Sequence, residues 1–444
     1  MLKVLSNRTY RHLFTAQIIA LVGTGLATIA LGLLAYDIAG GDAGAVLGTA
    51  LAIKMAAYIG VAPVVGAFAD RLPRRTFLVA MDMIRMAVAI LLPFVDQIWH
   101  IYVLIFVLQS ASAAFTPTFQ ATIPDVLPDE AEYTRALSLS RLAYDMESLV
   151  SPILAAALLT VISYNWLFEG TAIGFLISAL MIVSVRLPVT TRKALRSGGI
   201  WGRTLRGTRM YLATPRLRGL LALTLSAAAA SAMVIVNTVV IVRDLLDLTQ
   251  RDFAIALGAY GGGSILAALI LPRLLDRVDD RPVMIGAASL LTIVLAGLSV
   301  AGFFTSYSWA LILSSWFLLG VAYSMSVTPA GRLLRRSTGP EDRPEIFAAQ
   351  FALSHVCWLI AYPLVGLLGA AFGQAAAFGG MTLLAAAGVV GGMMLWPRGD
   401  QEILPHTHDD LPPDHPHLIE GHAGGVVRHA FVIDDLHPQW PGRI

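Results

Sequence analysis

Long apolar stretches alternate with short polar segments along most of the chain. Twelve stretches of roughly 20 residues or more are apolar enough to cross the ~30 Å hydrocarbon core of a bilayer as helices. Their hydrophobicity is continuous, without the alternation of β-barrel strands. The pattern predicts an all-α membrane protein with twelve transmembrane helices, at residues 12–36, 45–69, 76–95, 98–121, 136–162, 165–186, 217–242, 252–275, 282–304, 307–331, 346–371 and 374–396. The first stretch exceeds the ~7–15-residue apolar core of a signal peptide, so we predict an uncleaved first helix.

The chain repeats itself at a distance of half its membrane region. Within residues 115–132 and 327–345, corresponding positions lie 212 residues apart, so that Thr116-Pro117 corresponds to Thr328-Pro329. Such repeats predict two bundles of six helices, an arrangement typical of transporters with alternating access. The predicted divisions are a bundle at 1–186, a basic linker at 187–216, a second bundle at 217–396 and a tail at 397–444.

Composition and charge agree with a membrane location. The chain is 57% hydrophobic and 14% charged, against about 45–50% and about 25% in soluble domains. Lys and Arg concentrate in the connections on one side, including nine between residues 186 and 218, whereas the opposite side carries only Arg243 and Arg251. By the positive-inside rule both termini are predicted to be cytoplasmic, in a bacterial inner membrane. The linker is predicted to include an amphipathic segment near residues 200–212 that lies on the anionic leaflet.

The segment GAFADRLPRR, residues 66–75, resembles the signature of the major facilitator superfamily. The matching residues are Gly66, Asp70, Arg71, Arg74 and Arg75, whereas Pro73 stands where that family usually has Gly. Asp276 and Arg277 repeat the Asp-Arg pair in the second bundle. The resemblance, which covers about residues 5–397, implies that these residues take part in switching between conformations. The alternative interpretation is a basic loop that only follows the positive-inside rule.

Further segments are similar to the exporter branch of this superfamily, which includes siderophore, macrolide and tetracycline efflux pumps. They are RRTFLVAMDMIRMAV (74–88), FTPTFQATIPDVLP (115–128) and TRALSLSR (134–141). The Gly-Pro motif of drug antiporters is replaced here by Ser151-Pro152, a departure that weighs against simple drug antiport.

Ionisable residues inside membrane spans are energetically costly and are often functional. Asp82 and Arg85, three residues apart, are predicted to form a structural pair. Asp145 and Glu147 in the fifth span, with His355 at a similar depth in the eleventh, are predicted to carry protons or bind a cation. A structural polar contact is the alternative. Asn237 and Met325 are candidate cavity residues, with ordinary packing as the alternative.

The tail from residue 397 to 444 is rich in Pro, His and carboxylates and has few apolar residues, so it is predicted to be disordered. Histidine and carboxylate side chains suit divalent ions such as Ni²⁺ or Co²⁺. A solvated tail without metal is the alternative. The candidate metal ligands are His406, His408, His415, His417, His422, His429 and His437. Such a tail on an exporter body resembles the nickel-resistance branch of the superfamily.

Other chemistry has little support in the sequence. A phosphate-binding loop, a GxSxG segment and an HExxH segment are all absent. The prediction is therefore a secondary transporter and not an enzyme: a proton-coupled exporter of a divalent metal ion, monomeric in the membrane lipid, without a cofactor or nucleic-acid partner. The alternatives are efflux of a small organic compound and a membrane-anchored metal sensor or buffer.

Overall fold

A computed structural model describes residues 2–69, 73–129, 132, 136, 139–140, 143, 147, 150–151, 153–185, 187, 200–339, 342–399, 403–406, 427–434, 436–437 and 439–440. Helices dominate this part of the chain. Their bounds are α1 Arg8–Ala39, α2 Ala43–Ala69, α3 Arg74–Leu91, α4 Ile98–Val126, α5 Asn165–Val183, α6 Ile200–Ala213, α7 Pro215–Val240, α8 Gln250–Leu275, α9 Asp280–Phe304, α10 Trp309–Val327, α11 Ala330–Arg336 and α12 Arg343–Leu395.

The helices confirm most of the predicted spans. Among the described residues, nine helical runs are long and apolar enough to cross a membrane. The run Arg8–Val61 contains both α1 and α2, and the run Glu345–Leu395 is divided at Gly373, whose φ of 81° breaks α12 into two helices. A positive φ favours glycine because this residue lacks a Cβ. The nine runs therefore hold eleven predicted spans. The remaining one, which we call the fifth span (residues 136–162), is described only in part, with helical backbone at 153–158.

Successive helices place their connections at alternate ends of the bundle. We call one end the Gly40 end, because it carries the turn Gly40–Asp42 between α1 and α2. The connection Thr305–Ser308 lies there too. The opposite end, which we call the Arg74 end, carries the first turn of α3, the linker helix α6 and the segments beyond residue 395.

The linker helix α6 docks on the second bundle. Arg206 pairs with Asp342 at 2.7 Å and with Glu345 at 3.1 Å, at the beginning of α12. Tyr211 is fully buried and donates a hydrogen bond to Gln350. Burial raises the pKa of Tyr211 well above its usual range, so its hydroxyl remains a donor. The sequence predicts this helix, and the structure adds that one of its faces is held by protein.

The structure describes two short strands in the tail, for which the sequence predicts disorder. Strand β1, Ile403–His406, pairs antiparallel with β2, Val427–Ala430. Phe431 and Ile433 are each 3% exposed and join a core built from α6, α7, α9, α11 and α12. These two residues are ordered because the Arg74 end of the second bundle supplies the apolar partners that the tail itself lacks.

Candidate functional site

The signature segment is described only in part. Asp70 and Arg71 lie outside the described residues, and for Gly66 only the helical backbone of α2 is described. Arg74 pairs with Asp125 at the end of α4, and Arg75 donates to the carbonyl oxygen of Val183 at the end of α5. These two residues therefore join three helices of the first bundle at the Arg74 end.

The second bundle has an ion pair at the position that corresponds to Arg74 in the first bundle, but with an acidic residue in place of the basic one. Asp276 and Arg277 are exposed in the turn before α9. Asp280, which is 2% exposed, lies 3.3 Å from Nε of Arg332 and 3.6 Å from a terminal nitrogen of Arg336. At the offset of 206 that relates Asp70 to Asp276, Asp280 corresponds to Arg74. No local motif predicts this pair, although the offset of 206 residues is a signal that would reveal it.

Three titratable side chains from both bundles come together near the middle of the membrane region. Lys54 of α2 interacts electrostatically with Glu147 of the fifth span. Lys54 also interacts with His355 of α12. All three are partly buried, so their mutual interactions are screened less than at a protein surface. The structure thus brings Glu147 and His355 to one site, while Asp145 lies outside the described residues.

His355 is held by aromatic neighbours and by one backbone hydrogen bond. Its ring stacks on Tyr58 of α2 with centroids 5.6 Å apart, and it lies tilted against the ring of Phe351 with centroids 4.0 Å apart. Its Nδ1 lies 2.6 Å from the carbonyl oxygen of Phe351. Because a carbonyl oxygen can only accept, Nδ1 carries a proton, and Nε2 is left to gain or lose one. No periodic signal in the sequence points to Tyr58, whose position depends on the packing of α2 against α12.

Gly25 lets α1 approach the fifth span at Glu147. A Cβ atom at this position would collide with Ser151 and would lie 2.8 Å from Oε1 of Glu147. A larger residue at position 25 would therefore displace the fifth span and with it the Glu147 carboxylate.

A small cavity lies inside the first bundle next to Lys54. It is enclosed by α1, α2, α4 and α5 and by Leu92. About 20 Å³ of it is accessible to the centre of a water molecule, which is room for about one water. The polar residues that line it are Thr24, Thr28, Lys54, Gln109, Ser112 and Thr171. Gln109 could not be predicted from the sequence, because a single amide inside a span carries no distinctive pattern.

Asn237 lies away from this cluster, at the Gly40 end. It is fully buried in α7 and donates from Nδ2 to the carbonyl oxygen of Val365 at 3.2 Å. A Cβ atom on Gly44 of α2 would collide with the Asn237 amide. Asn237 therefore packs where α2, α7 and α12 meet. Met325 is partly buried in α10.

The two bundles make close contact toward the Gly40 end. A Cβ atom on Gly48 of α2 would collide with the carbonyl oxygen of Tyr362 in α12, and one on Gly32 of α1 would lie 3.2 Å from the ring of Phe253 in α8. Arg243 lies over the ring of Tyr36 at 5.6 Å. These contacts describe a conformation that is closed at the Gly40 end.

Asp82 and Arg85 confirm the predicted pair. Both side chains are buried, and they are bonded to each other in α3. Ser178 donates to the second carboxylate oxygen of Asp82 at 2.8 Å, and the Arg85 guanidinium lies 4.1 Å from the ring centre of Phe115. The Asp82 carboxylate is thus bonded within α3 and to α5, whereas Nε of Arg85 has no hydrogen-bond partner among the described residues.

Three of the seven candidate metal ligands of the tail lie within the described residues. His408, His415, His417 and His422 lie outside the described residues. His406 and His429 are backbone positions of β1 and β2, opposite Val427 and Leu404. His437 is 4% exposed, and its Nδ1 lies 2.8 Å from Oδ1 of Asp434. Within the described part of the chain, groups of three or more His, Cys, Asp or Glu that could hold a metal ion are absent.

Comparison with known families agrees with this architecture. The Major Facilitator Superfamily profile matches residues 13–314 and 220–428. The chain belongs to the major facilitator superfamily. It is accordingly a multi-pass membrane protein, as the sequence predicted.

Similar sequences include a macrolide efflux protein and an uncharacterized transporter of the same superfamily. Macrolide efflux protein A of Streptococcus pyogenes is 26% identical over 152 residues, which are 32% of this chain and 37% of that protein. The match thus spans little more than a third of that relative. The uncharacterized MFS-type transporter YvqJ of Bacillus subtilis (strain 168) is 23% identical over 383 residues, 83% of this chain and 87% of that one.

Solved structures share the fold at low sequence identity. The nucleoside transporter NupG superposes with a TM-score of 0.64 and 13% identity, over 87% of this chain and 98% of that one. The D-xylose-proton symporter gives a TM-score of 0.62 and 14% identity, over 88% and 96%. At these identities the likeness establishes the fold alone.

Proposed function

We propose that the protein is a proton-coupled exporter of an organic solute, and that Glu147, Lys54 and His355 couple proton movement to transport. The observation that carries this proposal is the meeting of three titratable groups from both bundles around Lys54. When the bundles rock, the distance between His355 and the other two groups changes. Their protonation is then linked to the conformation.

An organic solute fits this site better than a divalent metal ion. The Lys54 ammonium opposes the entry of a second cation into a partly buried space. Tyr58 and Phe351 add aromatic surface, which suits an organic molecule. The similarity to macrolide efflux protein A supports efflux of a compound of that kind.

Efflux of a divalent metal ion such as nickel or cobalt is the second candidate. It rests on a separate observation, the seven histidines between residues 406 and 437. A chelator near the mouth of an exporter would raise the local ion concentration. Membership of the superfamily counts against a sensor or buffer that moves nothing.

The proposed exporter lies in a bacterial inner membrane with both termini and the Arg74 end in the cytoplasm. We further propose that it works as a monomer in the lipid, with protons as the coupling ion.

Transport in everted membrane vesicles tests the function. We expect an imposed proton gradient to drive uptake of a radiolabelled macrolide by vesicles that contain the wild-type protein. Glu147→Gln should reduce this uptake to background, because the amide cannot exchange a proton. The matched control is Glu169→Gln, which alters a partly buried carboxyl of the same bundle at a distance from Lys54 and should leave uptake unchanged.

Two results would contradict the proposal. Proton-driven uptake of Ni²⁺ or Co²⁺ in place of the macrolide would make the metal ion the substrate. Full macrolide uptake by the Glu147→Gln variant would remove the central cluster from the coupling mechanism.

A further inference from the structure

The cavity beside Lys54 contains hydrogen-bond donors that other groups do not use. The hydroxyls of Thr24, Thr28 and Ser112 donate to backbone carbonyl oxygens of their own helices, at 2.9 to 3.0 Å. Thr171 likewise donates to the carbonyl oxygens of Gly23 and Leu167. The hydroxyl donors that line this cavity are therefore already engaged.

Lys54 and Gln109 differ from these residues. Within the described part of the chain, neither the Lys54 ammonium nor the Gln109 amide forms a hydrogen bond. Gln109 is 7% exposed, so its amide is removed from bulk water. An acceptor in the cavity would give both groups a hydrogen-bond partner. The cavity thus favours a ligand that accepts hydrogen bonds.

Charge and size define this ligand further. The ammonium favours a negative charge, and the surrounding apolar side chains of Ala27, Leu31 and Ile105 make the screening of this attraction weaker than in bulk water. The accessible space of about 20 Å³ limits the ligand to a compact group of one or a few heavy atoms.

We propose that this cavity is a binding site for a compact anionic acceptor, held by the Lys54 ammonium and the Gln109 amide N–H. The acceptor is either a free halide ion or one carboxylate group of the transported solute. The site itself does not depend on the proposed function. Only the second source, a carboxylate on the solute, rests on it.

Glu147 competes with the anion for Lys54. The carboxylate and the ammonium already interact electrostatically, so an anion that binds Lys54 replaces part of that interaction. Lys54 also interacts electrostatically with His355 of the second bundle. An anion bound to Lys54 therefore also changes the electrostatic interaction between the two bundles. Removing the negative charge of Glu147 should therefore strengthen anion binding, while removing Lys54 should abolish it.

Thermal unfolding of the purified full-length protein in detergent tests the site. Sodium chloride and sodium formate are compared with sodium gluconate, whose anion is too large for the cavity, at the same ionic strength. We expect chloride or formate to raise the unfolding midpoint by about 2–4 °C at concentrations well above Kd. Lys54→Gln and Gln109→Leu should lose this shift, and Glu147→Gln should increase it. Ser112→Ala is the matched control and should retain it, because its hydroxyl serves the backbone.

The unfolding midpoints in the three salts distinguish a free halide ion from a carboxylate group as the ligand. A shift with chloride identifies the free ion as an occupant, and a shift with formate alone identifies a carboxylate group. Equal midpoints in all three salts would overturn the proposal, and so would a shift that survives Lys54→Gln. If the anion shift is present but the vesicles show no transport, the proposed function fails and the site stands.

Discussion

Single glycines decide how closely the two bundles approach each other. Gly48 faces the carbonyl oxygen of Tyr362 so closely that a Cβ atom would collide with it. Backbone atoms cannot move aside as a flexible side chain can, so α2 and α12 would have to separate. Gly60 lies on the same helix, and a Cβ atom there would meet no atom within 4 Å.

We therefore predict that Gly48→Val opens the Gly40 end, whereas Gly60→Val leaves it closed. Spin labels at Asp42→Cys and Arg251→Cys, in a Cys357→Ser background, report the separation of the bundles at this end. The distance distribution of the Gly48→Val protein should shift to longer values than those of the parent and of Gly60→Val. Identical distributions in all three would show that the contact does not hold this end closed.

The charged residues of the central cluster can be predicted from the sequence only in part. Lys54 and Glu147 stand out in the sequence because charge is costly inside a span. Their meeting depends on positions about 90 residues apart, and Gly25 in a third helix decides how closely α1 approaches Glu147. Composition does not specify such a contact, so the sequence alone does not place Lys54 beside Glu147.

At the scale of elements, the segment after β2 behaves as part of the second bundle. Phe431 packs edge-to-face against His437 and Trp440 at 4.8 and 5.1 Å. The Trp440 ring lies 5.2 Å from the buried Arg216 guanidinium at the beginning of α7. The Asp434 carboxylate accepts hydrogen bonds from the backbone N–H groups of Leu436 and His437. These contacts fix a tail whose composition predicted disorder.

We predict that truncating this segment's buried side chains releases it. Phe431→Ala should cost about 3–5 kcal/mol and Ile433→Ala about 2–5 kcal/mol, because each leaves a cavity in the core. Leu436→Ala is the control, since this side chain is 39% exposed. Limited trypsin digestion at Arg428, followed by mass spectrometry, should be faster in the first two variants. Equal digestion rates in all proteins would show that the segment is not held by these residues.

At the scale of the whole molecule, the charge distribution predicts the orientation in the membrane. Lys and Arg accumulate at the Arg74 end, and the positive-inside rule places such an end in the cytoplasm. Thr305 is exposed at the Gly40 end, and Arg277 is exposed at the Arg74 end. Both positions are accessible to a chemical label without disturbing the core.

Labelling with a membrane-impermeant maleimide checks this orientation. In the Cys357→Ser background, Thr305→Cys should react in intact cells, while Arg277→Cys should react only after the cells are opened. The reverse pattern would place both termini outside and would change the proposed direction of transport.

The sequence by itself determined the membrane helices, the two six-helix repeats and the family. Hydrophobicity, length and local motifs suffice for these, since a helix in lipid must satisfy its own backbone whatever its neighbours are. The tertiary structure decided which polar groups meet. Lys54, Glu147 and His355 lie on three helices and in two bundles, and Phe431 finds its partners on helices distant in sequence. Contacts of this kind depend on how the bundles pack, and no local pattern encodes that packing.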